Sequence, residues 1–155
     1  MVHDDGSLWI CTAEGLSIFN PYRSTFRNIV ESNDEMCLSV SNIKCIFKDK
    51  AGSIWIGTEG GGINVFHENN LKFQHFKRDQ QQERSLKSNV IFSFLEDQDS
   101  LLWVGSYEGG ITIYDRGQNK TSYFEDFGVE LNNTSVLALS PVSYTHLTLP
   151  TILLV

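Results

Sequence analysis

Hydrophobic residues in this chain gather in short runs of about five, the usual length of a β-strand, separated by polar turns rich in glycine, aspartate and asparagine. No window carries the 3.6-residue apolar period of a helix. The runs fall at 8–11, 16–19, 25–30, 43–49, 53–57, 62–67, 72–76, 91–97, 101–105, 110–115, 120–124 and 136–139. Tight turns at Ala13-Glu14-Gly15, Gly60-Gly61-Gly62 and Gly109-Gly110 join neighbouring runs into predicted β-hairpins. Asn20-Pro21-Tyr22-Arg23 is a further turn, since proline fixes its own torsion and turns its neighbour away from helix. Residues 31–42, 77–89 and 125–135 are polar, irregular connections, so each cycle holds the same strands in the same order.

One stretch recurs. HDDGSLWICTAEGLSIF, DKAGSIWIGTEGGGINVF and DQDSLLWVGSYEGGITIY each place a tryptophan in a strand before a glycine-rich turn and a second strand. Trp9, Trp55 and Trp103 are 46 residues apart (55 − 9) and then 48 apart (103 − 55), a period that suits one four-stranded unit. A strand such as Ile54-Trp55-Ile56 is apolar at consecutive positions, so both its faces must be dry. Small antiparallel sheets stacked face to face around an axis satisfy that demand. The prediction is an all-β chain whose residues 2–139 form about three four-stranded β-propeller blades, an incomplete propeller. Each tryptophan then packs a neighbouring blade, burying on the order of 200 Å². Gly57 and Gly105, with Cys11 in their place in the first repeat, relieve crowding, and Gly60, Gly61, Gly62, Gly109 and Gly110 supply the positive torsions of tight hairpins. Asp49 and Asp97 precede a turn whose backbone amides they can accept, a structural role that fits recurrence once per repeat better than an acid or a metal ligand does. The last residues, 140–155, lack glycine and almost all charge and do not continue the repeat; they read as a truncation or frameshift product rather than a terminal cap.

Composition narrows the function. With 155 residues, 41% hydrophobic and 20% charged, the chain has the makings of an ordinary globular core. Its net charge of −7 repels phosphate backbones and anionic lipid, so no nucleic-acid partner and no direct membrane contact are expected. Cys11, Cys37 and Cys45 show no metal or redox spacing, and one disulfide could form without any spacing demanding it. The chain begins inside a repeat, which places any signal segment of a parent protein upstream, and no run approaches the roughly 20 apolar residues of a membrane helix. No nucleophile elbow, phosphate loop, zinc or dinucleotide motif occurs, and His3, His67, His75 and His146 lack ligand spacing. His67 and His75 are expected to face solvent at strand ends. No catalytic residue, metal or cofactor is expected.

The runs SNIKCIFKDKAGSIWIGTEGGGINVF and SNVIFSFLEDQDSLLWVGSYEGGITIY resemble the two-component regulator propeller repeat found in the sensor regions of Bacteroidetes hybrid two-component histidine kinases. The resemblance covers roughly residues 2–139. Cys11 for glycine, a single Gly15 before Leu16, and Ser100 for the turn glycine depart from it. It implies a periplasmic, non-catalytic sensor within a membrane-anchored, homodimeric parent whose remaining blades complete the propeller and which detects carbohydrate breakdown products. No kinase, receiver or DNA-binding motif lies in this chain.

In a propeller, the turn between the second and third strands and the connection between blades emerge on one face. That places Glu14, Glu59, Tyr107 and Glu108 beside Asp34, Glu35, Arg78, Gln81, Arg84 and Asn133. Sugars are held by aromatic faces and by bidentate amide, carboxylate or guanidinium groups, so Tyr107 and Arg84 lead the candidates for an oligosaccharide, followed by Glu59, Glu108, Glu14 and Arg78. The alternative is a scaffold or catalytic propeller of a secreted carbohydrate-active protein. Three blades alone leave sheet faces and edges uncovered, and the isolated chain is expected to associate.

Overall fold

A computed structural model describes residues 1–34, 36–68, 72–82, 85–128, 131 and 134–141, together with the backbone of 151–154. Blade 1 holds β1 (Leu8–Thr12), β2 (Gly15–Asn20) and β3 (Thr25–Ile29) in the order β1-β2-β3. Blade 2 holds β4 (Ile43–Lys48), β5 (Ile54–Thr58), β6 (Ile63–His67) and β7 (Lys72–Phe76), again in sequence order. Blade 3 holds β8 (Ile91–Glu96), β9 (Leu101–Ser106), β10 (Gly110–Asp115) and β11 (Lys120–Tyr123). All neighbours within a blade are antiparallel, as the hairpin turns require. β12 (Val136–Ser140) pairs with β13 (Thr151–Leu154), so part of the tail outside the repeat forms a strand, while residues 142–150 lie outside those described.

Predicted and observed strands agree to within a residue or two at most ends. One element was not foreseen: the third connection opens with a 3₁₀ turn, Phe124–Phe127, closed by Gly128 at φ 83°. The register shows which strands correspond. Trp9 faces Ile18, Trp55 faces Val65 and Trp103 faces Ile113, so the three strands of blade 1 match the second, third and fourth of the other blades.

Cores form between sheets. Trp9, Leu16 and Ile29 of blade 1 pack with Ile43, Ile54, Ile56 and Phe73 of blade 2. Trp55, Ile63 and Val65 of blade 2 pack with Ile91, Phe94, Leu102 and Val104 of blade 3, and Ile111 and Ile113 of blade 3 pack with Leu131 and Val136. Continuous apolar strands follow from this arrangement: every residue of β5 is buried because blade 1 covers one face and blade 3 the other. Trp9 meets Phe66 across the blade boundary at 5.9 Å, and Trp55 meets Phe94 at 6.4 Å and Tyr114 at 6.0 Å. Trp103 packs instead on Phe124 of its own blade, at 5.8 Å.

The recurrent acid braces a turn and also the tryptophan. Asp49 accepts the Ser53 amide on Oδ1 (2.8 Å) and the Trp55 indole N–H on Oδ2 (2.7 Å). Asp97 accepts the Asp99 and Leu101 amides (both 2.9 Å) and the Trp103 indole (2.8 Å). In blade 1 the equivalent place belongs to His3, whose amide donates to the Ser7 carbonyl (2.8 Å) as the Asp49 amide does to that of Ser53 (3.0 Å). There the Trp9 indole donates to Ser7 Oγ (3.1 Å) and the His3 ring stacks on Trp9 with centroids 5.3 Å apart. Asp5 braces the same turn without reaching the indole, and hydrogen bonds from the Ser7 side chain and amide hold its carboxyl down to about 2.

Glycine roles divide. At Gly57 a Cβ would meet Cys45 Sγ at 2.5 Å and Ile91 Cγ2 at 2.8 Å, so the close approach of the next blade excludes a side chain. Among the described residues no strand faces Cys11 as β4 faces Gly57, and a side chain fits there. Gly62 and Gly110 take positive φ (72° and 61°), as a tight hairpin demands, and Gly60 does too. Gly61 and Gly109 do not, contrary to expectation. They are crowded instead, a Cβ at either meeting a hydroxyl at 2.5 Å, Ser39 Oγ for Gly61 and Ser106 Oγ for Gly109.

Candidate functional site

The turns between second and third strands and the inter-blade connections do share a face, because they hydrogen-bond each other. The Glu59 amide donates to the Asn42 carbonyl (2.9 Å), the Gly60 and Gly62 amides to that of Asn89 (3.0 and 2.9 Å), and the Tyr107 amide to that of Val90 (3.0 Å). These bonds tie the hairpin tips of blades 2 and 3 to the chain entering the inner strand of the same or the next blade.

On this face the candidates separate. Glu59 is engaged by Lys44 Nζ (2.5 Å) and Asn42 Nδ2 (2.8 Å), and its carboxyl is lowered chiefly by the Lys44 hydrogen bond. Tyr107 is exposed, edge-on to Phe92 at 6.3 Å, and a hydrogen bond with Glu108 raises its hydroxyl pKa. Glu14 is an exposed turn residue whose amide donates to Thr12 Oγ1 (3.2 Å). Arg84, Glu35, Asn133 and His146 lie outside the described residues. His75 is exposed and bonds the Cys37 carbonyl (3.1 Å), whereas His67 is half-buried against Ser53 Oγ (3.0 Å) rather than solvent-facing.

Arg78 and Glu108 are brought together. Both line a polar cleft of about 460 Å³ between the second connection and the outer part of blade 3, with Lys87, Tyr123 and Glu125. The Arg78 amide is anchored by Asn89 Oδ1 (2.6 Å), and the Glu108 amide by Ser135 Oγ (3.1 Å) with Glu108 itself at φ 51° where blade 2 has Gly60. Tyr123 Oη is fixed by the Ser85 carbonyl (2.9 Å) and amide (3.1 Å), which sets its ring as a wall. Lys87 Nζ stands 4.6 Å from the centre of that ring and 2.8 Å from Glu125 Oε2. The Lys87–Glu125 contact is an ion pair without hydrogen-bond geometry, so the buried Glu125 oxygens have no hydrogen bond among the described residues.

Sequence reasoning passed over Lys87, Tyr123 and Glu125 because Tyr123 reads as a strand residue. The available signal was divergence: where the third repeat has Tyr123 and Glu125, the second has His75 and Lys77. Among the described residues no three His, Cys, Asp or Glu side chains converge as metal ligands.

The two-component regulator propeller family matches residues 37–60 and 85–108, spans that carry the Trp55 and Trp103 motifs. Those two spans carry two-component regulator propeller repeats. Solved structures agree with the repeat. An extracellular domain described as that of a hybrid two-component system, BT3049 of B. thetaiotaomicron, matches with TM-score 0.66 and 27% identity over 88% of this chain and 16% of its own. Two structures of the BT4673 extracellular domain of B. thetaiotaomicron, one described as of a one-component and one as of a hybrid two-component system, match with TM-scores 0.70 and 0.67. Their identities of 23% and 22%, over 91% of this chain and 20% of theirs, speak for the fold. The chain thus spans a fifth or less of those structures. No curated protein matches the chain. Among the described residues no helix is long and apolar enough to cross a membrane.

Proposed function

We propose that this chain is part of the periplasmic ligand-sensing propeller of a hybrid two-component signalling protein, and that it binds a carbohydrate breakdown product without transforming it. The observation that carries the reading is the match of its repeats to the regulator propeller family, together with the likeness to the BT3049 extracellular domain. The cleft supplies the chemistry. A fixed tyrosine ring, a guanidinium, an ammonium and two carboxylates suit a polyhydroxylated ligand, whose ring stacks and whose hydroxyls bridge charged groups. The carboxylates serve as acceptors in this reading, not as an acid and base pair.

The site is tested in the complete ectodomain by titrating oligosaccharides into the Arg78→Ala and Lys87→Ala variants. Each is expected to lose at least about tenfold in affinity, the equivalent of one charged hydrogen bond, while Glu59→Ala, already paired with Lys44, leaves affinity unchanged. The reverse pattern would move the site to the Glu59 turn. The adjoining coding sequence separates sensing from the secreted-protein alternative: a membrane segment and histidine kinase downstream support the proposal, and a secreted catalytic domain opposes it.

A further inference from the structure

On the rim opposite the Glu59 and Tyr107 turns, neighbouring blades are joined by clasps built from corresponding positions. The earlier blade contributes the residues six and five before its tryptophan: His3 and Asp4 in blade 1, Asp49 and Lys50 in blade 2. The later blade contributes the residues seven before and 13 after its tryptophan: Lys48 and Glu68 in blade 2, Glu96 and Arg116 in blade 3. Between blades 1 and 2, Lys48 Nζ lies 2.6 Å from Asp4 Oδ2 and 3.9 Å from Glu68 Oε1, and His3 Nε2 lies 2.5 Å from Glu68 Oε1. Between blades 2 and 3, Arg116 pairs with both Asp49 and Glu96 and donates to the Ser100 carbonyl (3.0 Å). Lys50 donates its amide to Glu96 (2.8 Å) and its ammonium to the Asp97 carbonyl (2.6 Å).

Two contacts recur with their positions exchanged in sign, Lys48–Glu68 and His3–Glu68 corresponding to Glu96–Arg116 and Asp49–Arg116, while the Asp4–Lys48 pair is replaced by the Lys50 amide on Glu96. Asp4 becomes Lys50, Lys48 becomes Glu96, Glu68 becomes Arg116, and the imidazole of His3 becomes the carboxylate of Asp49. The charges of the second clasp are covered: the side chain of Asp49 is 0% exposed and that of Glu96 3%. A like charge brought against them is neither solvated nor screened. Blade 3 docked on blade 1 would set Glu96 against Asp4, and such mismatches discriminate between partners more than matches strengthen them.

We propose that these clasps are a charge code for blade pairing, in which a blade accepts only a neighbour of opposite sign at these positions. The reversal of sign between the two clasps keeps blade 3 from docking on blade 1, the kind of misassembly characteristic of repeat chains. It also defines the partner of the next surface: Asp97, at the place of Asp49 in blade 3, fits a sheet that brings a lysine or arginine to the position 13 residues after its own tryptophan.

The code is tested by exchange in the full chain. Glu96→Lys with Arg116→Glu gives blade 3 the signs of blade 2, and Asp49→His with Lys50→Asp gives blade 2 those of blade 1. Ser53 occupies the place of Ser7, so an acceptor for the Trp55 indole remains when Asp49 is replaced. Each half-exchange is expected to lower the melting midpoint by at least about 5 °C or to abolish the cooperative transition. The four-fold variant is expected to recover at least half of the larger loss, non-additivity being the mark of direct coupling. A four-fold variant that recovers less than half, or half-exchanges that leave the midpoint unmoved, overturn the code.

Discussion

Trp55 and Trp103 occupy the same place in their repeats, donate the same indole hydrogen bond at 2.7 and 2.8 Å, and differ in what covers them. Trp55 is 4% exposed, with Phe94 and Tyr114 of blade 3 against its ring, whereas Trp103 is only half-buried and rests on Phe124 of its own blade. Replacing a buried tryptophan by alanine costs about 3–5 kcal/mol. Trp55→Ala belongs at the upper end, about 4–5 kcal/mol, because its ring is almost wholly buried between blades. Trp103→Ala, with part of its ring already wet, belongs near 2–3 kcal/mol. The hydrogen-bond loss is common to both, so the difference of about 2 kcal/mol reports burial between blades, and at roughly 2–4 °C per kcal/mol it separates the melting midpoints by about 4–8 °C. Urea unfolding followed by far-ultraviolet circular dichroism measures both variants without relying on the deleted fluorophore. Equal losses, within about 0.5 kcal/mol, would show that blade 3 is not what buries Trp55.

Ser100 takes φ 62° at a turn position where blade 2 has Gly52 at 88°, so Ser100→Gly should stabilise the chain by about 0.5–1 kcal/mol, and an unchanged or lower midpoint would contradict the strain argument. Burial pushes the Cys45 thiol up to about 12, which leaves little thiolate at mild alkalinity. Iodoacetamide at pH 8 should therefore spare Cys45 in the folded chain and modify it in urea; equal labelling would oppose its burial. The sign for stability follows: because the folded value lies above the unfolded one near 8.5, the contribution is intact below about pH 8.5 and is lost as pH rises toward 12. Val2, Leu8, Phe26 and Val30 are exposed on or beside blade 1, and light scattering of the isolated chain should show association; a monodisperse monomer with a sharp transition would speak against it.

What could be read from the sequence was what repeats locally. Short apolar runs, the 46- and 48-residue tryptophan spacing and the glycine turns placed the blades because each hairpin is specified within about 20 residues. The Asp49 brace on its own turn was readable for the same reason. Its hold on the Trp55 indole was not, and the place of His3, six residues before Trp9 as Asp49 is before Trp55, is masked because acidity points to Asp4 or Asp5. Arg78 and Glu108 were within reach because topology sends turns and connections to one face. Lys87, Tyr123 and Glu125 meet them through packing between the second connection and the end of β11, a contact that no local pattern announces. The clasps are legible only once it is known which blade edges touch.

A propeller that senses a sugar as proposed must bind it and leave it intact, and a single titration reads both properties at once. Oligosaccharides released from complex polysaccharides are added to the complete ectodomain in a calorimeter, and the recovered ligand is resolved by chromatography. Saturable heat is expected, with the oligosaccharide recovered at its original length. Shortened products, or no heat from any oligosaccharide while the protein remains folded, would rule out sensing without turnover.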